Sequence, residues 1–489
     1  MECRVLGRLV FCALTVAQLI TFTSCGGSAG TSTPPPPVFH NEWAWMGGSQ
    51  AVDKTGIYGT KGVASAGNMP GGRGWPCAWT DTSGNFWLFG GLGWASADMP
   101  VTNQNLYLND LWKYSDGEWA WMGGSNQTQQ PGVYGAMGTP APGNVPGGRW
   151  EATCWTDSQG NFWLYGGLGI DSQGTAGNLG DLWRYSNGEW TWMAGSRIAG
   201  ANFASGSGWN GAAVYGTEGV AAPGNTPGGR EVASGWADPS GNLWLFGGLG
   251  IISTSGPVSP GAIGNMNDLW EYSNGMWKWV AGSNQIDQDG VYGTLGTPAP
   301  GNTPGWRDRA ATWTDASGNL WLFGGMGVGA PGPGEDCMGC EMNDLWMFKS
   351  GEWTWMGGPD EPGYTGVYGT QGVAAIGNLP PPRSDATTWT DAEGNFWLFG
   401  GSLVNPYNDL WKYSNGQWIW VSGSTQTCQE PGVYGTLGTP SAANVPGART
   451  GAVGWTDKSG NLWLFGGDVI DCPGYNSASK LNDLWEYQP

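Results

Sequence analysis

Short alternating runs of apolar and polar residues, separated by turn residues, recur along the chain from Asn41 onward. In the second occurrence they cover Glu151 to Thr156, Asn161 to Tyr165, Leu182 to Tyr185 and Glu189 to Met193, each rich in aromatic or β-branched residues. Runs of this length and period predict four short strands. Asp157 and Gly160 between the first two supply the side-chain acceptor and the positive φ that a tight turn requires.

The whole unit repeats. WTDSQGNFWLYGG, Trp155 to Gly167, returns with small changes ending at Gly91, Gly248, Gly325, Gly401 and Gly467, which makes six units. Each opens on an arginine and passes through Trp-x-Asp, Gly-Asn and Gly-Gly to Asn-Asp-Leu-Trp-x-Tyr and Trp-x-Trp, with minor variation. Four short strands per unit make a propeller blade. The sixth unit ends at Asn482 to Pro489 without its Trp-x-Trp run, whereas EWAWMGG at Glu42 to Gly48 has no unit of its own and matches Glu118 to Gly124. We therefore expect an all-β, six-bladed β-propeller over residues 41–489, its ring closed by the N-terminal strand completing the last blade. No sheet edge is then left open.

Gly-Gly followed by Asn-Asp-Leu-Trp-x-Tyr and then Trp resembles the kelch repeat, and the likeness spans essentially all of 41–489. The gap from Tyr114 to Trp119 is shorter than that family usually has, which trims one hairpin. The resemblance implies a kelch-like propeller. Kelch propellers include copper radical oxidases similar to galactose oxidase, whose metal site needs two histidines, and this chain has one, His40, ahead of the first strand. That chemistry is excluded, as are Ser-His and Cys-His nucleophiles within the propeller. No metal or other cofactor is expected.

Residues 1–24 read as a signal peptide: Arg4 and Arg8, an apolar run from Leu9 to Phe22, then small Thr23 and Ser24 before Cys25. The run is too short to span a bilayer. Phe22 to Cys25 resembles the lipobox of bacterial lipoproteins, with Phe22 where that family usually has Leu, and this implies lipidation of Cys25 and a tether over residues 25–40. The expectation is an exported protein lipid-anchored in the bacterial envelope, at the outer membrane or in the periplasm, and otherwise secreted. Six further cysteines, Cys77, Cys154, Cys337, Cys340, Cys428 and Cys472, form an even set suited to an oxidising compartment. Disulfides are expected between Cys428 and Cys472 and between Cys337 and Cys340.

The 90 Gly and 32 Pro do not make this a low-complexity chain, because 39% hydrophobic residues including 35 Trp can bury a large core. A net charge of −20 argues against a nucleic-acid partner, which needs a basic footprint, and leaves membrane contact to the anchor. One chain closes the ring, so a monomer is expected.

The turns between strands one and two and between three and four are tiny, whereas the other two connections are long and leave on one face, because successive strands alternate in direction. Loops carried by a rigid scaffold are where binding concentrates. Six arginines, Arg73, Arg149, Arg230, Arg307, Arg383 and Arg449, open the innermost strands at that face. Three of them, Arg73, Arg149 and Arg307, are candidates to grip a carboxylate or sulfated sugar. Identical placement in every unit favours another use, pairing across the Gly-Gly with the unit's own aspartate: Asp110, Asp181, Asp268, Asp344, Asp409 or Asp483.

All but five of the tryptophans occupy repeated slots and read as core. The five left over, Trp75, Trp94, Trp150, Trp209 and Trp306, belong to the long-loop face, where they either stack on a sugar ring or wedge the loops apart. Catalytic residues are not assigned. Acids near the axis (Glu151, Glu231, Asp308, Asp385) or in loops (Asp98, Asp171, Glu335, Asp336, Glu341, Asp468, Asp471) could form an acid/base pair. The turn aspartates, which resemble the Asp-box of sialidase propellers, read as structural. The expectation is a binding or interaction module taking a glycan or protein ligand on the long-loop face. Two alternatives stand beside it: a sugar-acid mutarotase or epimerase, similar to the six-bladed periplasmic sialic acid mutarotases, and an envelope scaffold with no small ligand. Fold alone does not choose.

Overall fold

Every regular element among the described residues is a β-strand. The computed structural model describes residues 41–96, 105–200, 211–251, 263–331, 340–403, 405–427, 431–470 and 478–489. Thr153–Thr156, Phe162–Tyr165, Leu182–Ser186 and Glu189–Ala194 each pair antiparallel with the next. The same order runs from Cys77–Thr80 to Glu118–Gly123, from Ser234–Ala237 to Met276–Ala281, from Ala311–Thr314 to Glu352–Gly357 and from Thr387–Thr390 to Gln417–Ser422. In a sixth sheet of this kind Val453–Thr456, Leu462–Phe465 and Leu484–Gln488 are followed by Glu42–Gly47, with Trp43 opposite Tyr487, and two smaller sheets, of three and two strands, stand beside these six. First strands neighbour one another in chain order, and Val453–Thr456 lies beside Cys77–Thr80. This is the arrangement of a β-propeller.

The core lies between the sheets and is aromatic. Trp79, 2% exposed, stacks on Phe162 of the following sheet at 5.3 Å and donates its Nε1–H to the Trp163 carbonyl at 3.3 Å. Trp155, Trp236, Trp389 and Trp455 make the corresponding bond to the next sheet. Each such ring buries a large apolar surface while its one polar group stays satisfied. At the outer edge, the connection between sheets folds over the fourth strand: Gly62 N donates to the Trp121 carbonyl at 2.7 Å and Asn68 Nδ2 to that of Trp119 at 3.0 Å. The edge is thereby covered.

The turn aspartates are structural. Asp157 accepts from the Asn161 backbone N–H at 2.9 Å and from Trp163 Nε1 at 2.8 Å. Burial pushes its carboxyl up, but the bonds from Trp163, Asn161 and Gln159 outweigh burial and hold it below the usual carboxylate range.

Gly-Gly is required by a close approach. Gly166 and Gly167 have φ of 65° and 89°, a Cβ on Gly166 would lie 2.5 Å from the Arg230 carbonyl oxygen, and the Gly167 N–H donates to that same oxygen at 2.9 Å. Each sheet thus holds the backbone of the next sheet's arginine. Two features depart from the sequence expectation: in several sheets the second and third strands run on past Gly-Gly into the connection expected to be a loop, as in Phe86–Trp94 with Asn105–Ser115, and the first strand, expected over Glu151 to Thr156, begins at Thr153, with Arg149–Trp150 a separate strand. Glu151 lies in the gap with a φ of 53°.

Candidate functional site

The six axial arginines are buried in ion pairs. Arg149, 1% exposed, donates Nη1 and Nη2 to the two carboxylate oxygens of Asp181 at 2.7 and 2.8 Å, and Nη1 also to the Gly166 carbonyl at 2.9 Å. Tyr134 Oη and Trp183 Nε1 both donate to Asp181 Oδ2 at 2.6 Å. Burial raises the Asp181 pKa, and Arg149 together with the Tyr134 and Trp183 bonds overcomes it, so the carboxylate stays ionised. The other five pairs, Arg73–Asp110, Arg230–Asp268, Arg307–Asp344, Arg383–Asp409 and Arg449–Asp483, close to 2.6–2.7 Å with both side chains at most 1% exposed. None of these guanidiniums presents a free edge to a ligand.

Two residues beyond each arginine the chain takes a left-handed turn. Trp75, Glu151, Val232, Arg309, Asp385 and Gly451 have φ of 51°, 53°, 57°, 55°, 53° and 61°. Each donates its backbone N–H to the carbonyl of the preceding one, from Glu151 to Trp75 (3.4 Å) through Gly451 to Asp385 (3.2 Å), and Trp75 returns the bond to Gly451 at 2.7 Å. The result is a closed ring of six hydrogen bonds. Five non-glycine residues in this region, one of them β-branched, carry backbone strain of the kind found where function is built.

Backbone uniformity carries six unlike side chains. They line a cavity of about 190 Å³ with Pro76, Ala152, Ala233, Ala310, Ala386, Ala452 and Val453. Arg309 is its one cation: Nη2 donates to Glu151 Oε1 at 2.7 Å, Nε lies 3.2 Å from Asp385 Oδ2, and Nη1 lies 3.6 Å from Asp308 Oδ2. Asp385 Oδ2 nevertheless accepts no hydrogen bond. The Arg309 Nε–H is turned to Glu151, and Trp75 Nε1, though near enough to lower the Asp385 pKa, is itself without an acceptor. Burial, opposed by Arg309 and reinforced by Glu151, pushes Asp385 up to about 7. Burial and the Glu151 charge push Glu231 to about 8, and burial takes Asp308 to about 6 against the pull of Arg309. Glu231 and Asp308 do not line the cavity, but with Glu151 and Asp385 they lie within electrostatic reach of one another, too close for all four to ionise easily.

Of the tryptophans outside the repeated slots, Trp75 lines the cavity and Trp150 packs edge-on against it at 5.1 Å. Trp306 is 6% exposed and Trp94 donates Nε1 to Asp53 at 2.9 Å, so both serve packing. Arg73, Arg149 and Arg307 are held in the clamps described above. Trp209, Cys25, Cys337, Cys428, Cys472, Asp98, Glu335, Asp336 and Asp471 lie outside the described residues. Cys340 is disulfide-bonded. Cys77 and Cys154, which the sequence reading left unpaired, form a disulfide between adjacent first strands. Sequence reasoning also missed Arg309, Val232 and the clamp tyrosines. Signals for both existed: Val-Tyr-Gly or Ile-Tyr-Gly recurs ahead of every unit, and aligning the six arginines exposes a position where Trp, Glu, Val, Arg, Asp and Gly alternate just before a uniformly small residue.

No family model and no curated protein matches the chain. Among solved structures, that of YjhT aligns over 85% of this chain and 95% of its own length at 12% identity with a TM-score of 0.47. A fungal alcohol oxidase of the AA5 family in complex with copper aligns over 87% and 77% at 12% identity with a TM-score of 0.41. Both scores fall below 0.5, and the propeller geometry rests on the chain's own strand pairings.

Proposed function

We propose that this chain is an exported, six-bladed kelch-like propeller whose ring is closed by Glu42–Gly47, and that it works as a binding module for a carbohydrate at the axial ring. One observation carries the reading: a scaffold held by six like clamps gives up its symmetry at the cavity, where Trp75, Glu151, Arg309 and Asp385 meet. An aromatic face beside a few convergent polar groups in a small concavity is the usual build of a sugar site. Support for export comes from the leader-like first 24 residues and from the Cys77–Cys154 disulfide, a bond that persists in oxidising compartments. The membrane anchor at Cys25 belongs to the same proposal.

The enzyme alternative, a mutarotase-like enzyme acting on a carboxylated sugar, has in its favour that Arg309 and Glu151 share the cavity. Against it, Arg309 is already faced by three carboxylates and has little to offer a fourth. A thermal-shift screen of mono- and disaccharides on the protein and on its Trp75→Ala variant tests the binding reading. Stabilisation by a sugar that disappears in the variant is expected. A hit untouched by Trp75→Ala moves the site to the long loops, and the absence of any hit favours a protein-binding or scaffold role.

A further inference from the structure

The axial cavity is unbalanced in charge. Two acids line it, Glu151 and Asp385, against one cation, Arg309, whose guanidinium also meets Asp308 at 3.6 Å. The Glu151 and Asp385 side chains are 3% and 9% exposed, so water does little to screen the excess. Among the described residues no group of three acids, histidines or cysteines is poised to hold a metal ion. A buried Asp385 oxygen accepts no hydrogen bond on the wall of the cavity, beside the Trp75 ring. Arg309 Nε lies 3.2 Å from this oxygen but directs its N–H to Glu151, and a neutral sugar would bring it a hydroxyl donor without a charge. A small cation with N–H donors would bring both, and a Trp face attracts the same group through its quadrupole.

We propose that the cavity binds the protonated amine of an amino sugar, with the ammonium group donating to Asp385 and lying against Trp75. The inference rests on the carbohydrate reading above and narrows it to one ligand chemistry. The volume, about 190 Å³, is below the roughly 300–1,000 Å³ of pockets that take drug-sized ligands, which limits the occupant to about one sugar ring. The small or apolar residues that complete the wall, Pro76, Val232, Gly451, Val453 and five alanines, offer the ring no competing polar side chains. An N-acetylated sugar carries no charge and is bulkier by an acetyl group, and should be refused.

Calorimetric titration with glucosamine, N-acetylglucosamine and glucose at one pH and ionic strength tests this on the protein and on Asp385→Asn and Trp75→Ala. Asn is isosteric with Asp and keeps an acceptor oxygen at the same place, so the fold should tolerate the change; an unaltered near-ultraviolet dichroism spectrum checks it. Glucosamine is expected to bind at least about tenfold more tightly than either neutral sugar, and Asp385→Asn to remove about a tenfold preference, the worth of one charged hydrogen bond. Equal binding of glucosamine and glucose, lost in Trp75→Ala, would keep the sugar site and overturn the amine. Glucosamine binding unchanged by Asp385→Asn would also overturn it. Binding of none of the three would count against both readings.

Discussion

Replacing Asp181 by Asn tests what holds the hub of the second sheet. The carboxylate accepts four hydrogen bonds of 2.6–2.8 Å, two from Arg149, one from Tyr134 and one from Trp183, and is 0% exposed. Asn keeps one acceptor but turns an N–H₂ toward the guanidinium, leaving a buried cation with only the Gly166 and Gly147 carbonyls. Removing one partner of a buried pair typically costs about 3–5 kcal/mol, most of it the penalty of the stranded charge. Arg149→Met with Asp181→Asn removes that charge as well, and should recover about 2 kcal/mol or more of the loss. Denaturant unfolding followed by tryptophan fluorescence, on wild type, both single variants and the double, gives the cycle. A single-variant loss below about 1 kcal/mol, or a double variant as damaged as the sum of the singles, would refute the argument that this pair acts as a coupled clamp.

Other outcomes follow from the same geometry. The carboxyls of Glu231, Asp385 and Asp308 hold their protons more tightly when folded than when unfolded, so their contribution to stability is greatest at acid pH and falls as pH rises between about 4 and 8; the melting temperature should decline over that range, less steeply in Glu231→Gln. The turn aspartates Asp81, Asp157, Asp315 and Asp391 have lowered pKa values and oppose this below about pH 4, where their hydrogen-bonded carboxylates become protonated. Reducing Cys77–Cys154, which closes a sequence separation of 77, should cost about 4 kcal/mol by chain entropy, read as a shift in denaturant midpoint; no shift would mean the blades are held without it. Trp306→Ala should destabilise by about 3–5 kcal/mol and leave sugar affinity unchanged, the reverse of Trp75→Ala.

Much of the architecture was legible because it is repeated. Six copies of Arg, Gly-Gly and Asp-Leu-Trp pointed to the same strands and to the Arg–Asp clamp, and the orphan EWAWMGG pointed to the pairing of Glu42–Gly47 with Leu484–Gln488. The candidate site was legible only in part. Glu151 reads as a strand residue by its neighbours, and nothing in its side chain announces a φ of 53°; the ring of hydrogen bonds from neighbouring sheets imposes that conformation. The arginine at the cavity is Arg309, two residues after the repeated one, at a position the other five units fill with Trp, Glu, Val, Asp and Gly. The Cys77–Cys154 bond was hidden for a similar reason: the two residues are one position out of register in adjacent units, and only the lateral packing of first strands brings them together.

The most direct test of the central claim is a crystal structure of the protein grown or soaked with glucosamine. Sugar density is expected inside the axial ring, with the ring plane near Trp75 and the amine within hydrogen-bond distance of Asp385. Sugar density confined to the long loops with the axial cavity unchanged would contradict it.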